Sequence, residues 1–102
     1  MPSVLTDEQR NAALARLDGW SGDAEGLRRT VELADFPTAI SVVDRVAEVA
    51  EERDHHPDID IRWRTLTFVC ATHSAGGVTE ADVQLAEKIN EIVAAAGAGR
   101  GL

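Results

Sequence analysis

Aromatic residues are scarce in this sequence, at 4% of 102 positions, and cysteine occurs once. The first shortage leaves the packing of any core to aliphatic side chains. The second excludes an internal disulfide. The neighbours of Cys70, Phe68-Val69-Cys70-Ala71, give it the role of a small buried apolar residue rather than a reactive thiol. No apolar run approaches the roughly 18 residues that a membrane span requires. Met1-Pro2-Ser3-Val4-Leu5 lacks a basic stretch followed by an apolar one, so no secretory signal is expected and the expected location is cytoplasmic. Bases are the minority charge, 10 against 18 acids, for a net charge of −8. The only basic clusters, Arg28-Arg29 and Arg62/Arg64, are too small to draw in a phosphate backbone. Neither a nucleic acid nor a membrane is therefore expected as a partner.

The length suits one domain covering residues 1–102, able to bury about 60–70% of its unfolded surface. Thr6-Asp7-Glu8-Gln9 has the form of a capping box, and its acids suit the positive end of a helix dipole. Ala13, Leu14 and Leu17 supply a thin apolar stripe before Asp18-Gly19 ends the helix. Ser21 to Gly26 is turn chemistry, and Leu27 to Leu33 alternates, so Trp20 to Leu33 reads as a hairpin with an ill-defined first strand. Asp35 and Pro37 then open the strongest periodic segment of the chain. Its apolar set is Phe36, Ala39, Ile40, Val43, Val46, Ala47 and Ala50, and its opposite stripe is Asp44, Glu48, Glu51 and His55. Glu51 and His55 share a face if the helix persists that far, and Pro57 requires it to stop near Asp54 or His55.

Beyond the proline, Ile59, Ile61 and Trp63 alternate with polar residues, and Leu66, Phe68 and Cys70 do so in the opposite phase. A two-residue turn at Arg64-Thr65 would account for the switch. That register sets Trp63 against Leu66, Ile61 against Phe68, Ile59 against Cys70 and, by extension, His56 against His73. Thr79 to Asp82 is a second capping pattern, which assigns Asp82 to a helix start rather than to chemistry. Val83 or Leu85, then Ala86, Ile89, Ile92, Val93 and Ala96 give the last helix its apolar face, and the tail from Ala94 to Gly101 is expected to fray. The order α-β-β-α-β-β-α reads as an α+β fold of two layers: a four-stranded antiparallel sheet with three helices on one face.

The three histidines, His55, His56 and His73, would then gather at one end of a hairpin. Histidine gives and takes protons near neutral pH, and two in one pocket can divide those tasks. A nearby carboxylate favours the protonated imidazole, and Glu51 and Asp54 are placed to supply one. Three uses are open on spacing alone: acid–base catalysis on a small molecule, a three-histidine metal site, or a solvated helix-to-strand loop. Adjacent histidines on an extended strand point to opposite faces, which counts against the metal. Ser74 lacks a Gly-x-Ser-x-Gly elbow, and Gly76-Gly77 lacks the Lys-Ser/Thr of a phosphate loop.

Glu51, three residues, His55-His56-Pro57, five residues, Trp63, nine residues, His73, eight residues, Asp82 resembles the signature of the pterin-4a-carbinolamine dehydratases. The pattern covers about a third of the chain, and element order and length extend the likeness to nearly all of it. The resemblance implies helices on a four-stranded antiparallel sheet, a homodimer or homotetramer, and no metal or cofactor. It implies dehydration of 4a-hydroxytetrahydropterin to quinonoid dihydropterin, in support of tetrahydropterin recycling. It makes His55, His56 and His73 the catalytic residues and sets Glu51, Asp54, Pro57, Thr72, Ser74 and Ala75 around the pterin. Ile59 stands where many members have an aromatic residue, and Ala81 where many have a base that would pair with Asp82. The alternative on the same fold is a non-catalytic pterin-binding or partner-regulating module.

Overall fold

Local signals place the helices. In a computed structural model describing residues 3–97, Thr6 Oγ1 accepts the Gln9 N–H at 3.1 Å and Gln9 Oε1 accepts the Thr6 N–H at 2.9 Å. This box starts helix α1, Asp7–Arg16. Gly19 takes a left-handed φ of 81° just beyond it, as its place after the helix requires. Asp35 Oδ1 accepts the Thr38 N–H at 2.8 Å and opens α2, Phe36–Arg53, with Pro37 in the first turn. The last helix, α3, is Glu80–Ala95. Ala94 and Ala95 of the expected frayed tail are thus helical, and its end lies outside the described residues. No helix among the described residues is long and apolar enough to cross a membrane.

The strands are β1 (Ser21–Asp23), β2 (Gly26–Glu32), β3 (Asp58–Arg62) and β4 (Thr65–Cys70), in the antiparallel order β1-β2-β4-β3. The α+β layout is therefore the expected one. One face of the sheet carries Leu27, Val31, Leu66, Phe68 and Cys70, which are buried with Ala13 and Leu17 of the α1 region, Val42 and Val46 of α2, and Ile89 and Val93 of α3. The other face carries Arg28, Thr30 and Glu32, all exposed. Arg29 is the charged residue on the covered face of β2. It donates through Nη1 to Asn90 Oδ1, which also accepts Trp20 Nε1–H at 2.7 Å. Burial lowers the pKa of this guanidinium, an effect that the Asp18 charge opposes.

Three details differ from the sequence expectation. Ser21–Asp23 is a strand, and only Ala24-Glu25 turns, with Asp23 Oδ1 accepting the Glu25 N–H at 2.8 Å. The buried stripe of α2 is Ala39, Val42, Val46 and Ala50. Phe36 stays 47% exposed and Ala47 is exposed, because the helix turns its 39–42–46–50 line to the sheet. The β3–β4 register is also displaced. Arg62 pairs with Thr65, Ile61 with Leu66 and Ile59 with Phe68, so Trp63-Arg64 is the turn. Trp63 carries a φ of 56°, as mirror-image hairpin turns demand. Arg64 supplies the reason. Its carbonyl accepts the Leu33 N–H at 2.9 Å, its Nη1 donates to Leu33 O at 3.2 Å, and its Nη2 lies 3.2 Å from Glu32. The hairpin tip is thereby tied to the β2–α2 junction.

Cys70 is fully buried at the end of β4. Burial pushes its thiol far above the ordinary value of 9.0, and the Asp82 and Asp58 charges add to the effect. The unfolded chain ionises this thiol near 9 and the folded chain does not. Stability is therefore whole below that pH and declines above it. Urea unfolding should show a loss of about 1.4 kcal/mol between about pH 8 and about pH 10, absent in Cys70→Ala. Equal slopes for the two proteins would contradict it.

Candidate active site

The end of α2 sets the first two histidines. Arg53 is its last residue, and Asp54 takes the left-handed conformation with φ 49°. The His55 N–H closes on Ala50 O at 3.0 Å and the Asp54 N–H on Glu51 O at 3.3 Å. These are the two bonds of a Schellman motif, with Asp54 where glycine is usual. The chain reverses there, so the helical spacing that would pair Glu51 with His55 is broken. Glu51 instead meets His56, its Oε2 hydrogen-bonded to His56 Nε2. Both are open to solvent, with side chains 76% and 55% exposed.

His55 is turned toward α3. Its side chain is 16% exposed, and Nε2 lies 2.6 Å from Oδ1 of Asp82, which is completely buried. Oδ2 of Asp82 accepts the Thr72 hydroxyl at 2.8 Å and the Thr79 N–H at 2.9 Å. An ionised carboxylate only accepts hydrogen bonds, so here His55 Nε2 donates and Nδ1 is left to accept a proton. Capping and site are thus one structure, because the N3 residue that reaches back to Thr79 also holds the imidazole. Asp82 is the residue whose second role sequence reasoning missed. The signal was present, as the last position of the spaced pattern. Ala81 provides no base, yet Asp82 is fully partnered without one.

His73 is not paired in the ladder. It opens a 3₁₀ turn, His73–Ala75, with Ser74 exposed beside it and Ala75 half-buried. The register, continued, sets Ala71 rather than His73 against His56, which corrects the expected opposition. Because Asp58 pairs with Val69, the start of β3 and the end of β4 lie at the same end of the sheet. His55, His56 and Pro57 therefore share that end with Thr72 and His73. Thr72 is buried at 6% exposure, and Pro57 is half-buried. Asp54 is exposed. Trp63 lies at the far end of β3, roughly 16 Å along the strand, 70% exposed and under the Arg64 guanidinium at 4.7 Å. Among the described residues, no three His, Cys, Asp or Glu side chains converge as a metal would need.

The structure is thus a two-layer α+β domain in which a buried aspartate holds one histidine and two further histidines lie at the same end of the sheet. Comparison with known proteins gives the family. The model of the pterin 4 alpha carbinolamine dehydratases matches residues 3–92, and the chain belongs to that family, a family of hydro-lyase enzymes. A Mycolicibacterium smegmatis protein provisionally named as a pterin-4-alpha-carbinolamine dehydratase is 58% identical over 91 residues, covering 89% of this chain and 97% of that one. One of Nocardia farcinica with the same name is 54% identical over 89 residues, covering 87% and 94%. A crystal structure of a transcriptional coactivator/pterin dehydratase from Brucella melitensis is 39% identical with a TM-score of 0.83, covering 86% and 96%. A pterin dehydratase-like protein identified as a RuBisCO assembly factor in the alpha-carboxysome is 18% identical with a TM-score of 0.59, covering 72% and 84%, a likeness of fold alone.

Proposed function

We propose that this protein dehydrates a 4a-hydroxytetrahydropterin by histidine acid–base catalysis, in support of tetrahydropterin recycling. The observation that carries the mechanism is the buried Asp82–His55 pair at 2.6 Å, beside the solvent-facing Glu51–His56 pair. The reaction breaks the C4a–O bond and an N–H bond of the adjacent ring nitrogen, forms a C=N bond and releases water. One group must take the nitrogen proton, and another must protonate the departing hydroxyl. His55 Nδ1 takes the first proton while Asp82 steadies the imidazolium that results. His56, beside Glu51, supplies the second. His73, on its exposed turn, directs the hydroxyl, with Asp54, Pro57, Ser74 and Ala75 around the ring. The exposed Phe36, Ile61 and Trp63 support the homo-oligomer that the resemblance implies.

Decay of freshly generated 4a-hydroxytetrahydropterin, followed by ultraviolet absorbance, tests the reading. Catalytic amounts of protein should speed decay at least a hundredfold. Pterin binding with unchanged decay would overturn it in favour of the non-catalytic module.

A further inference from the structure

Thr72 stands between the two halves of the site. Its backbone forms the His73 turn: its carbonyl accepts the N–H groups of Ala75 and Gly76, both at 3.0 Å, and its N–H donates to Gly77 O at 2.9 Å. Its side chain faces away from that turn into the protein, 2.8 Å from Asp82 Oδ2 and 2.8 Å from Thr79 Oγ1. A hydroxyl has one proton, and a carboxylate can only accept. Thr72 therefore spends its proton on Asp82, and the Thr79 hydroxyl donates to Thr72. A directed chain results, Thr79 O–H to Thr72 O–H to Asp82 to the His55 N–H, with a second bond from the Thr79 amide. Such chains polarise one another in a low-dielectric interior.

We infer that Thr72 is a positioning residue, not a pterin contact, whose hydroxyl sets how strongly Asp82 holds the His55 imidazole while its backbone holds the His73 turn. This rests on the dehydratase reading above. The hydroxyl's one proton is committed to Asp82, it already accepts from Thr79, and the residue is buried, so it has no proton to offer a ligand. Its bond draws carboxylate charge toward Oδ2 and away from Oδ1, and so moderates the Asp82–His55 attraction. The other ionisable groups near this centre are the Cys70 thiol on β4, which burial keeps protonated, and Asp58 on β3, whose charge also reaches that thiol. None occupies the bond in question.

Thr72→Val keeps the shape of the side chain and removes the hydroxyl. With the hydroxyl gone, Oδ1 carries more charge and the charged imidazole is favoured. Both the limb of the kcat/KM–pH profile set by the base and the NMR titration curve of His55 should move to higher pH by about half a unit or more. The rate should fall about tenfold, mainly in kcat rather than KM. Thr72→Ser, which retains the hydroxyl, should restore most of the rate and the wild-type profile. A loss of stability with profile and titration unmoved would overturn the proposal, as would a loss confined to KM, the mark of a ligand contact. If Thr72→Val does not fold, Thr79→Val removes the donor behind Thr72, together with the capping hydroxyl of α3, and leaves the Thr72–Asp82 bond in place. It should move both curves in the same direction by less, and unmoved curves there also overturn the proposal. The NMR titration needs no turnover. A wild-type protein without dehydratase activity would thus strike the function, and an unmoved His55 curve would strike this inference.

Discussion

Replacing His55 with alanine should lower kcat for pterin dehydration by roughly 10²–10⁴-fold, the equivalent of about 3–5 kcal/mol in the barrier. The expectation follows from how this imidazole is held. Its side chain is 16% exposed, one nitrogen is committed to Asp82, and the other remains to accept a proton. His56 has neither the burial nor a buried partner, so His56→Ala should cost activity with little effect on stability. Alanine at position 55 also strands the buried carboxylate, so unfolding could be mistaken for lost chemistry. His55→Gln separates the two, because its amide nitrogen reaches about as far from the backbone as Nε2 does. Its amide can donate to Asp82 and cannot carry a proton at neutral pH. It should match the alanine variant in kcat while unfolding at a higher urea concentration. Near-wild-type turnover in either variant would remove His55 from the base role.

The helices were legible because their signals are local. The boxes at Thr6–Gln9 and Thr79–Asp82, the cap at Asp35 with Pro37, and the 3–4 periodicity of α2 each involve residues within one or two turns. The end of the sheet where the histidines gather was legible too, from the chain order and the short connection between β3 and β4. What was not legible depends on contacts between distant residues. The hairpin turn falls at Trp63-Arg64 because Arg64 is bonded to Leu33 and Glu32, some 30 positions earlier. No feature of Arg-Thr or Trp-Arg as a dipeptide announces that. The two-residue difference keeps Ile59 and Ile61 on the same face as Leu66, Phe68 and Cys70, as expected, while Trp63, expected against Leu66, falls in the turn and is 70% exposed.

The partner exchange at Glu51 has a different origin. Counting i to i+4 assumes a continuing helix, and the left-handed Asp54 ends it one residue too soon. A glycine at that position would have advertised the reversal; an aspartate did not. Asp82 was obscured by an explanation that was correct and incomplete. A capping pattern accounts for an aspartate at N3, and one carboxylate has two oxygens. One reaches back to the helix start and the other is free to serve a residue 27 positions away.

Asp82→Ala should be the most damaging single change for stability, at about 3–5 kcal/mol, against a total of about 5–15 kcal/mol for a domain of this kind. The carboxylate is wholly buried and satisfies three donors at once: His55, the Thr72 hydroxyl and the Thr79 amide. Removing it orphans all three and unfastens α3 from β4 and from the end of α2. Urea unfolding followed by tryptophan fluorescence measures the loss, and a cost below about 1 kcal/mol would show the network to be worth no more than an ordinary hydrogen bond. Asp82→Asn distinguishes stability from chemistry. Its oxygen can still accept from Thr72 and Thr79, so the fold should be largely kept. Its NH₂ then faces His55 Nε2, which must become the acceptor. The imidazole proton is forced to Nδ1, the nitrogen that should accept from the substrate. The variant should therefore be folded and slow, with kcat down about 10²–10⁴-fold and KM nearly unchanged. Wild-type kcat in a folded Asp82→Asn protein would mean that the tautomer of His55 does not matter, and the reaction would have to be assigned to His56 and His73 alone.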